Sequence, residues 1–403
     1  METLRIASNA LRAHKLRSFL TLLGVIIGVM TVITVVSIIS GLNNYISEKV
    51  FSLNPDVYVV SQFGIITSRE QFLEAVKRKK IDWNDFEMVR ERCRTCESVG
   101  AGEDAEAPVK FGPKRLAEVQ VRGTTANMAE INNLDLDTGR FFTDAEERHS
   151  TLMAVIGSDV REELFGKLDP IGRSIRVGNI RVVVIGLLVK QGSVLGQSQD
   201  SIVYLPLSTW QKEFGTRRGL NLFIRARGGV AGMDRSMDDV RVILRGRRHT
   251  AFRDDDPFAY VTAEALQMVW KSISAGLFSL MILISGISLV VGGIVITNIM
   301  LVSVVERTRE IGVRRAMGAT RGDIRRQFLT EATLLALGGG MLGVLLGIAI
   351  AWLISTLSPM PTLVRPELIL AGLSIAAFTG ITAGFMPAMR AARLPPVEAL
   401  RYE

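Results

Sequence analysis

Four stretches of this 403-residue chain lack any charged residue: Ser18–Ser47, Ser272–Val305, Ala332–Val364 and Leu368–Met389. Each is longer than the roughly 20 apolar residues that cross a bilayer's hydrocarbon core. Within them no Asp, Glu, Lys, Arg or His is available for a proton relay or an ion site, which argues against an ion-driven carrier. Histidine is scarce: His14, His149 and His249 stand far apart. Neither H-E-x-x-H nor G-x-S-x-G occurs, so no zinc-hydrolase or serine-hydrolase constellation is legible and no catalytic residue is assigned. No G-x-x-x-x-G-K-[ST] loop occurs either, so these residues hold no P-loop for ATP. Cysteine is limited to Cys93 and Cys96, spaced C-x-x-C. That pair suits a local disulfide or two free thiols; alone it is two ligands short of a structural zinc site. Asp254-Asp255-Asp256 reads as a solvated turn before Pro257, and no metal or cofactor site is expected.

What is present divides the chain. Residues 1–17 place Leu4, Ala7 and Leu11 toward one side, which predicts a short amphipathic helix on the membrane surface. Transmembrane helices are expected at 18–47, 272–305, 332–358 and 368–389, with an outer loop at 359–367 and a tail at 390–403. The first span reads as a retained anchor, since its apolar run is too long for a signal peptide. Residues 48–271 form a large extramembrane insert. The expected fold is therefore a membrane protein of four transmembrane α-helices, with a large α/β extracytoplasmic domain between helices 1 and 2.

Arginine sets the orientation. Residues 306–331 carry Arg307, Arg309, Arg314, Arg315, Arg321, Arg325 and Arg326, whereas the loop between spans three and four has only Arg365. The basic side is cytoplasmic by the positive-inside rule. Both termini then lie inside a cell (inner) membrane and the insert lies outside. The net charge of +8 is explained at the membrane edge, against lipid headgroups, and needs no nucleic acid.

Within the insert, "SIRVGNIRVVVIGLL" alternates apolar residues on either side of Gly178-Asn179, the pattern of a hairpin. "IDWNDFEMVRERC" reads as a helix capped by Asp82, and "SIVYLPLSTW" reads as a strand. Met233, Met237, Val240 and Leu244 mark one face of another helix. Two subdomains are expected, 48–100 with 217–271, and 101–216. In the spans, Gly339, Gly343 and Gly347 recur every four residues, and Gly24 and Gly28 do so in the first span. This spacing lets membrane helices approach closely.

The loop at 306–331 is more than a charged connector. The second span is expected to continue as helix to about Met317 and to break at Gly318 and Gly322. Thr320 with Asp323 has the capping-box spacing that starts the next helix. The sequence from Asn298 to Gly347, "NIMLVSVVERTREIGVRRAMGATRGDIRRQFLTEATLLALGGGMLGVLLG", resembles the MacB/FtsX-type ABC transporter permeases, and within them the MacB branch. So do "TGRFFTDAEE", "AVIGSDVREELFGKLDPIGRSIRVG" and the terminal "LPPVEALRYE". The resemblance implies a stand-alone permease without a fused ATPase, hence not itself an enzyme, working with a separate ABC ATPase subunit that binds the ATP. It implies that Glu306, Arg307, Arg309, Glu310, Arg314 and Arg315 form the coupling elbow that docks on that ATPase. It also implies a homodimer, or a heterodimer with a similar permease, and in a two-membrane cell a membrane-fusion protein and an outer-membrane duct. The implied activity is mechanotransmission that drives export of a drug, peptide or lipid-like substrate. Lipoprotein release, or FtsX-like control of cell-wall hydrolases or antimicrobial-peptide sensing, stand as alternatives.

Overall fold

The computed structural model describes residues 15–45, 54–194, 197–216, 219–358, 360–396 and 399. The amphipathic helix expected at the start of the chain lies almost wholly outside them. The chain forms two compact units, one of residues 1–45 and 272–403, the other of residues 46–271. Helix α1 (Lys15–Tyr45) opens the first.

The inserted unit is built on one ten-stranded sheet. Its strands are β1 (Val57–Ser61), β2 (Cys96–Phe111), β3 (Lys114–Thr124), β4 (Leu136–Gly139), β5 (Met153–Ile156), β6 (Ser174–Val177) and β7 (Ile180–Leu188). The short pair β8 (Ser193–Val194) and β9 (Gln197–Ser198) stands apart, and β10 (Ile202–Pro206), β11 (Asn221–Ala226) and β12 (Ala259–Thr262) complete the set. The sheet order is β12-β1-β11-β2-β3-β10-β5-β7-β4, with β6 bridging β2 and β7. Its helices are α2 (Arg69–Lys77), α3 (Trp83–Arg92), α4 (Met128–Ile131), α5 (Asp144–Arg148), α6 (Ser158–Leu164), α7 (Leu207–Phe214) and α8 (Met233–Arg248).

The β6–β7 hairpin turns at Gly178-Asn179, where Gly178 has φ +56° and Val177 pairs with Ile180. That backbone conformation favours glycine, so the turn follows from local sequence. Asp82 caps α3 through a reciprocal box with Asp85. "SIVYLPLSTW" departs from the expected strand: β10 ends at Pro206 and α7 begins at Leu207. The reason is tertiary. Trp210 is fully buried and donates its Nε1 hydrogen to the Val121 carbonyl, 2.9 Å away, which a helical turn at that place permits. Gly123 gives the indole room, since a Cβ there would lie 2.4 Å from Trp210.

Two apolar clusters flank the sheet's length. One gathers Val109, Val121, Ile156, Val184, Leu205 and Trp210. The other gathers Tyr58, Phe86, Val89, Leu222, Val240 and Leu244. Strand β2 contributes to both, so it runs through position 100, where the two expected subdomains were divided.

The membrane unit is completed by α9 (Ala263–Glu306) from residue 272 onward, α10 (Thr308–Ala316), α11 (Arg321–Leu357) and α12 (Pro366–Arg393). Among the described residues, four helices are long and apolar enough to cross a membrane: α1, α9, α11 and α12. Small residues let them meet. A Cβ at Gly24 would stand 2.6 Å from the Gly292 Cα of α9, and one at Gly28 would stand 2.9 Å from Leu289. Gly343 and Gly347 instead face α1, against Ile26, Val29 and Ile33, and Gly339 is buried on the same helix. A second stripe was not read from the sequence. Gly340, Ala336 and Ala332 of α11 lie against Ala376, Gly380 and Gly384 of α12, with separations as short as 2.5 Å to the added Cβ. Several polar groups in these helices are satisfied locally, although the buried Ser37 and Ser285 hydroxyls are not. Ser279, Ser288 and Thr297 donate to carbonyls four residues back, and Thr297 also donates across to the Ala383 carbonyl at 2.9 Å.

Candidate functional site

The elbow between α9 and α11 differs from the single helix expected there. Helix α9 ends at Glu306, one residue breaks the regularity, and α10 starts at Thr308. Arg307 has φ −103° and ψ 17°. Several groups at the break find partners across it. Thr308 donates its hydroxyl to the Val304 and Val305 carbonyls at 3.0 and 2.8 Å, and the Arg307 N–H reaches Ser303 at 3.0 Å. A side-chain hydroxyl competing for helix carbonyls redirects the chain. Gly318, with φ +102°, closes α10 as expected. Gly322 does not break anything; it sits in the first turn of α11, beyond the Thr320–Asp323 capping box. In that box Thr320 N donates to Asp323 Oδ2 at 3.0 Å and Asp323 N donates to Thr320 Oγ1 at 3.2 Å.

The structure separates the six expected docking residues into two groups. Arg307 and Arg315 are turned inward. Arg307 Nη1 donates to both oxygens of Glu331 at 3.1 and 3.3 Å, tying the start of the elbow to α11. Arg315 Nη1 donates to the Ala392 and Leu394 carbonyls at 3.2 and 2.8 Å, where α12 ends. The others lie on the outer face. Glu306, Arg309 and Glu310 are exposed, and Arg314 is half-buried. Arg314 donates to Gln327 Oε1 at 2.9 Å and stands 4.0 Å from Glu310. Arg309, Glu310, Val313, Arg314 and Met317 rim a shallow hollow of about 370 Å³. Val313 and the strongly exposed Met317 had not been singled out. Their signal was present: positions 309, 313 and 317 recur every four residues, one face of a helix.

This arrangement has the chemistry of a docking surface. It offers both charge signs around an apolar floor on a helix pinned at both ends. Among the described residues, no group of three or more His, Cys, Asp or Glu is placed to hold a metal ion. The acidic turn is engaged otherwise: Asp256 pairs with Arg241 at 2.7 Å and Arg245 at 2.6 Å. Cys93 and Cys96 are joined as a disulfide between α3 and β2, with Cα atoms 5.4 Å apart. Asp239 of α8 holds the loop they close, accepting from the Arg94 and Thr95 amides and the Thr95 hydroxyl at 3.1, 3.4 and 2.9 Å.

Four membrane-length helices among the described residues, an α/β insert between the first two and a capped, charged elbow between the second and third define an integral-membrane protein. Residues 18–241 match the MacB-like periplasmic core domain, and residues 282–396 match the FtsX-like permease C-terminal domain. The chain belongs to the MacB/FtsX-type family of ABC transporter permeases. It is 33% identical over its full length to the macrolide export ATP-binding/permease protein MacB of Bdellovibrio bacteriovorus, covering 62% of that protein. It is 31% identical over its full length to the ABC transporter permease YknZ of Bacillus subtilis, covering 99% of it. It is 33% identical over 99% of its length to the pyoverdine export ATP-binding/permease protein PvdT of Pseudomonas aeruginosa, covering 58% of that protein. The chain thus spans about three-fifths of the relatives that carry ATP-binding in their names, and nearly all of YknZ.

Proposed function

We propose that this chain is the membrane-spanning subunit of an exporter driven by an ATPase that these 403 residues do not contain. ATP-driven closure of two ATPase subunits pushes on the elbow. The membrane helices carry that movement to the inserted domains outside, which expel a compound already there. This is mechanotransmission rather than conduction through the bundle, and the absence of ionisable side chains from the uncharged runs supports it. Relatives are named for macrolide and for pyoverdine export, which supports a drug, peptide or lipid-like substrate here. Two copies, or one copy with a similar permease, complete the transporter. A membrane-fusion protein and an outer-membrane duct join it in a two-membrane cell.

One observation carries the reading. The outer face of α10 is exposed, mixed in charge and apolar at its floor, while its inner face is fastened to α11 and to the end of α12. Glu310→Arg tests it. Exposed surface substitutions usually stay within about 0.5 kcal/mol of stability. Like charges brought together at an interface cost several kcal/mol. The variant is expected to keep its melting temperature and lose both ATPase co-purification and export at matched expression. Wild-type levels of both would remove Glu310 from the contact.

A further inference from the structure

Arg315 differs from Arg307 and Arg314 in that its partners are not side chains. They are two backbone carbonyls at the end of α12, Ala392 and Leu394, at 3.2 and 2.8 Å. The last carbonyls of a helix have no partner within the helix, and a guanidinium there satisfies them. Two further contacts bind the same two segments. Gly312, one helical turn before Arg315, lies against Ala399, which is 1% exposed; a Cβ at Gly312 would stand 2.7 Å from the Ala399 Cβ. Ile311 is buried in the same apolar cluster as Ala388, Ala391 and Ala392. Within the second segment, the Ala399 N–H donates to the Pro395 carbonyl at 3.0 Å.

We infer that α10 and the segment following α12 form one rigid body, and that Arg315 is the positioning residue that locks it. A force on the outer face of α10 then reaches α12 directly, besides α9 and α11 through the chain and through Arg307–Glu331. The role assigned to Arg315 is thus mechanical: it holds the docking face and does not belong to it. This rests on the reading of the elbow as the docking surface, but the lock itself is a property of the chain alone and is measured without any ATPase.

The experiment is hydrogen exchange on the full chain in lipid nanodiscs, comparing amides 308–317 and 391–399 with the α3 amides as an internal reference. Arg315→Met removes the donors and keeps the length. It is expected to raise exchange in both elbow segments about tenfold, equivalent to about 1.4 kcal/mol of local opening, and to leave α3 unchanged. Arg315→Gln keeps donors without charge, and is expected to recover part of the protection. Gly312→Val pushes Ala399 away without touching Arg315, and is expected to loosen the same two segments. Unchanged exchange in Arg315→Met, or loosening confined to α10, overturns the lock. So does Arg315→Gln behaving as badly as Arg315→Met, because charge rather than hydrogen bonding would then be the operative property. If the exchange results hold while Glu310→Arg leaves ATPase co-purification intact, the lock stands and only the docking reading falls.

Discussion

Arg248 Nη2 lies 2.7 Å from Asp85 Oδ2, and both side chains are withdrawn from water, 3% and 0% exposed. Arg247 reaches the other oxygen of Asp85 and also contacts Asp82 at 3.0 Å. Arg248 further donates to the Lys79, Lys80 and Pro257 carbonyls. The N-terminus of α3 is thereby fastened to the C-terminus of α8, and Asp85 serves as cap partner and counter-ion at once.

Removing one partner of such a pair leaves a buried charge uncompensated, at a cost of about 3–5 kcal/mol. Asp85→Ala is therefore expected to lower the unfolding midpoint of the inserted domain sharply, followed by the fluorescence of Trp83 and Trp210. Glu87→Ala, on the same helix and outside the pair, serves as control. A loss for Asp85→Ala no larger than the control's would show that the pair is not structural.

Glu146 supplies a pH-dependent contribution. Its bidentate bond to Arg140, at 2.5 and 2.7 Å, and its bond from the Thr143 N–H hold its carboxyl down to about 2, below the ordinary 4.5. A depressed folded pKa stabilises above the unfolded value, and the benefit fades as pH falls toward the folded one. The difference in unfolding midpoint between wild type and Glu146→Gln should be largest above pH 4.5 and close toward about 2. A difference independent of pH across that window would contradict the assignment.

Gly343 of α11 has the Ile26 carbonyl oxygen 2.8 Å and the Val29 Cβ 3.0 Å from where a side chain would begin. Overpacking a close contact costs about 1–3 kcal/mol. Gly343→Val is expected to destabilise the membrane unit in a denaturing-detergent titration, whereas Gly338→Val, with nothing within 4 Å, should not. Equal behaviour of the two would mean that α1 and α11 do not pack there.

Topology and cysteine state are read in one labelling series. With Cys93 and Cys96 paired, the wild-type chain should resist alkylation until reduced. Cysteines placed singly at Asp169 and Thr320, in a background lacking Cys93 and Cys96, should label oppositely with an impermeant reagent on cells whose outer membrane is permeabilised. Labelling of both, or of Thr320 alone, would reject the four-span orientation; alkylation without reductant would reject the disulfide.

Local rules account for much of this molecule. The uncharged runs announced the membrane helices because a bilayer admits no unpaired charge. Gly178-Asn179, Asp82 and Thr320 announced a turn and two helix starts because each needs only its neighbours in sequence. The resemblance of 298–347 pointed to the family and to the elbow. The break at Arg307 was hidden, because Thr308 looks like any helical residue until its hydroxyl takes the Val304 and Val305 carbonyls. The stripe on α12 was hidden because its glycines become meaningful only beside Ala332 and Ala336. Arg315 was the hardest to place. Among seven arginines in one short stretch, its chemistry is not distinctive. Its partners are backbone carbonyls 77 and 79 residues away, which every sequence possesses and none displays. Sequence alone thus determined which segments enter the membrane and where the charged elbow lies. Only the tertiary structure decided which elbow charges face outward and which fasten helices together, because that depends on carbonyls brought close by packing rather than on residue type.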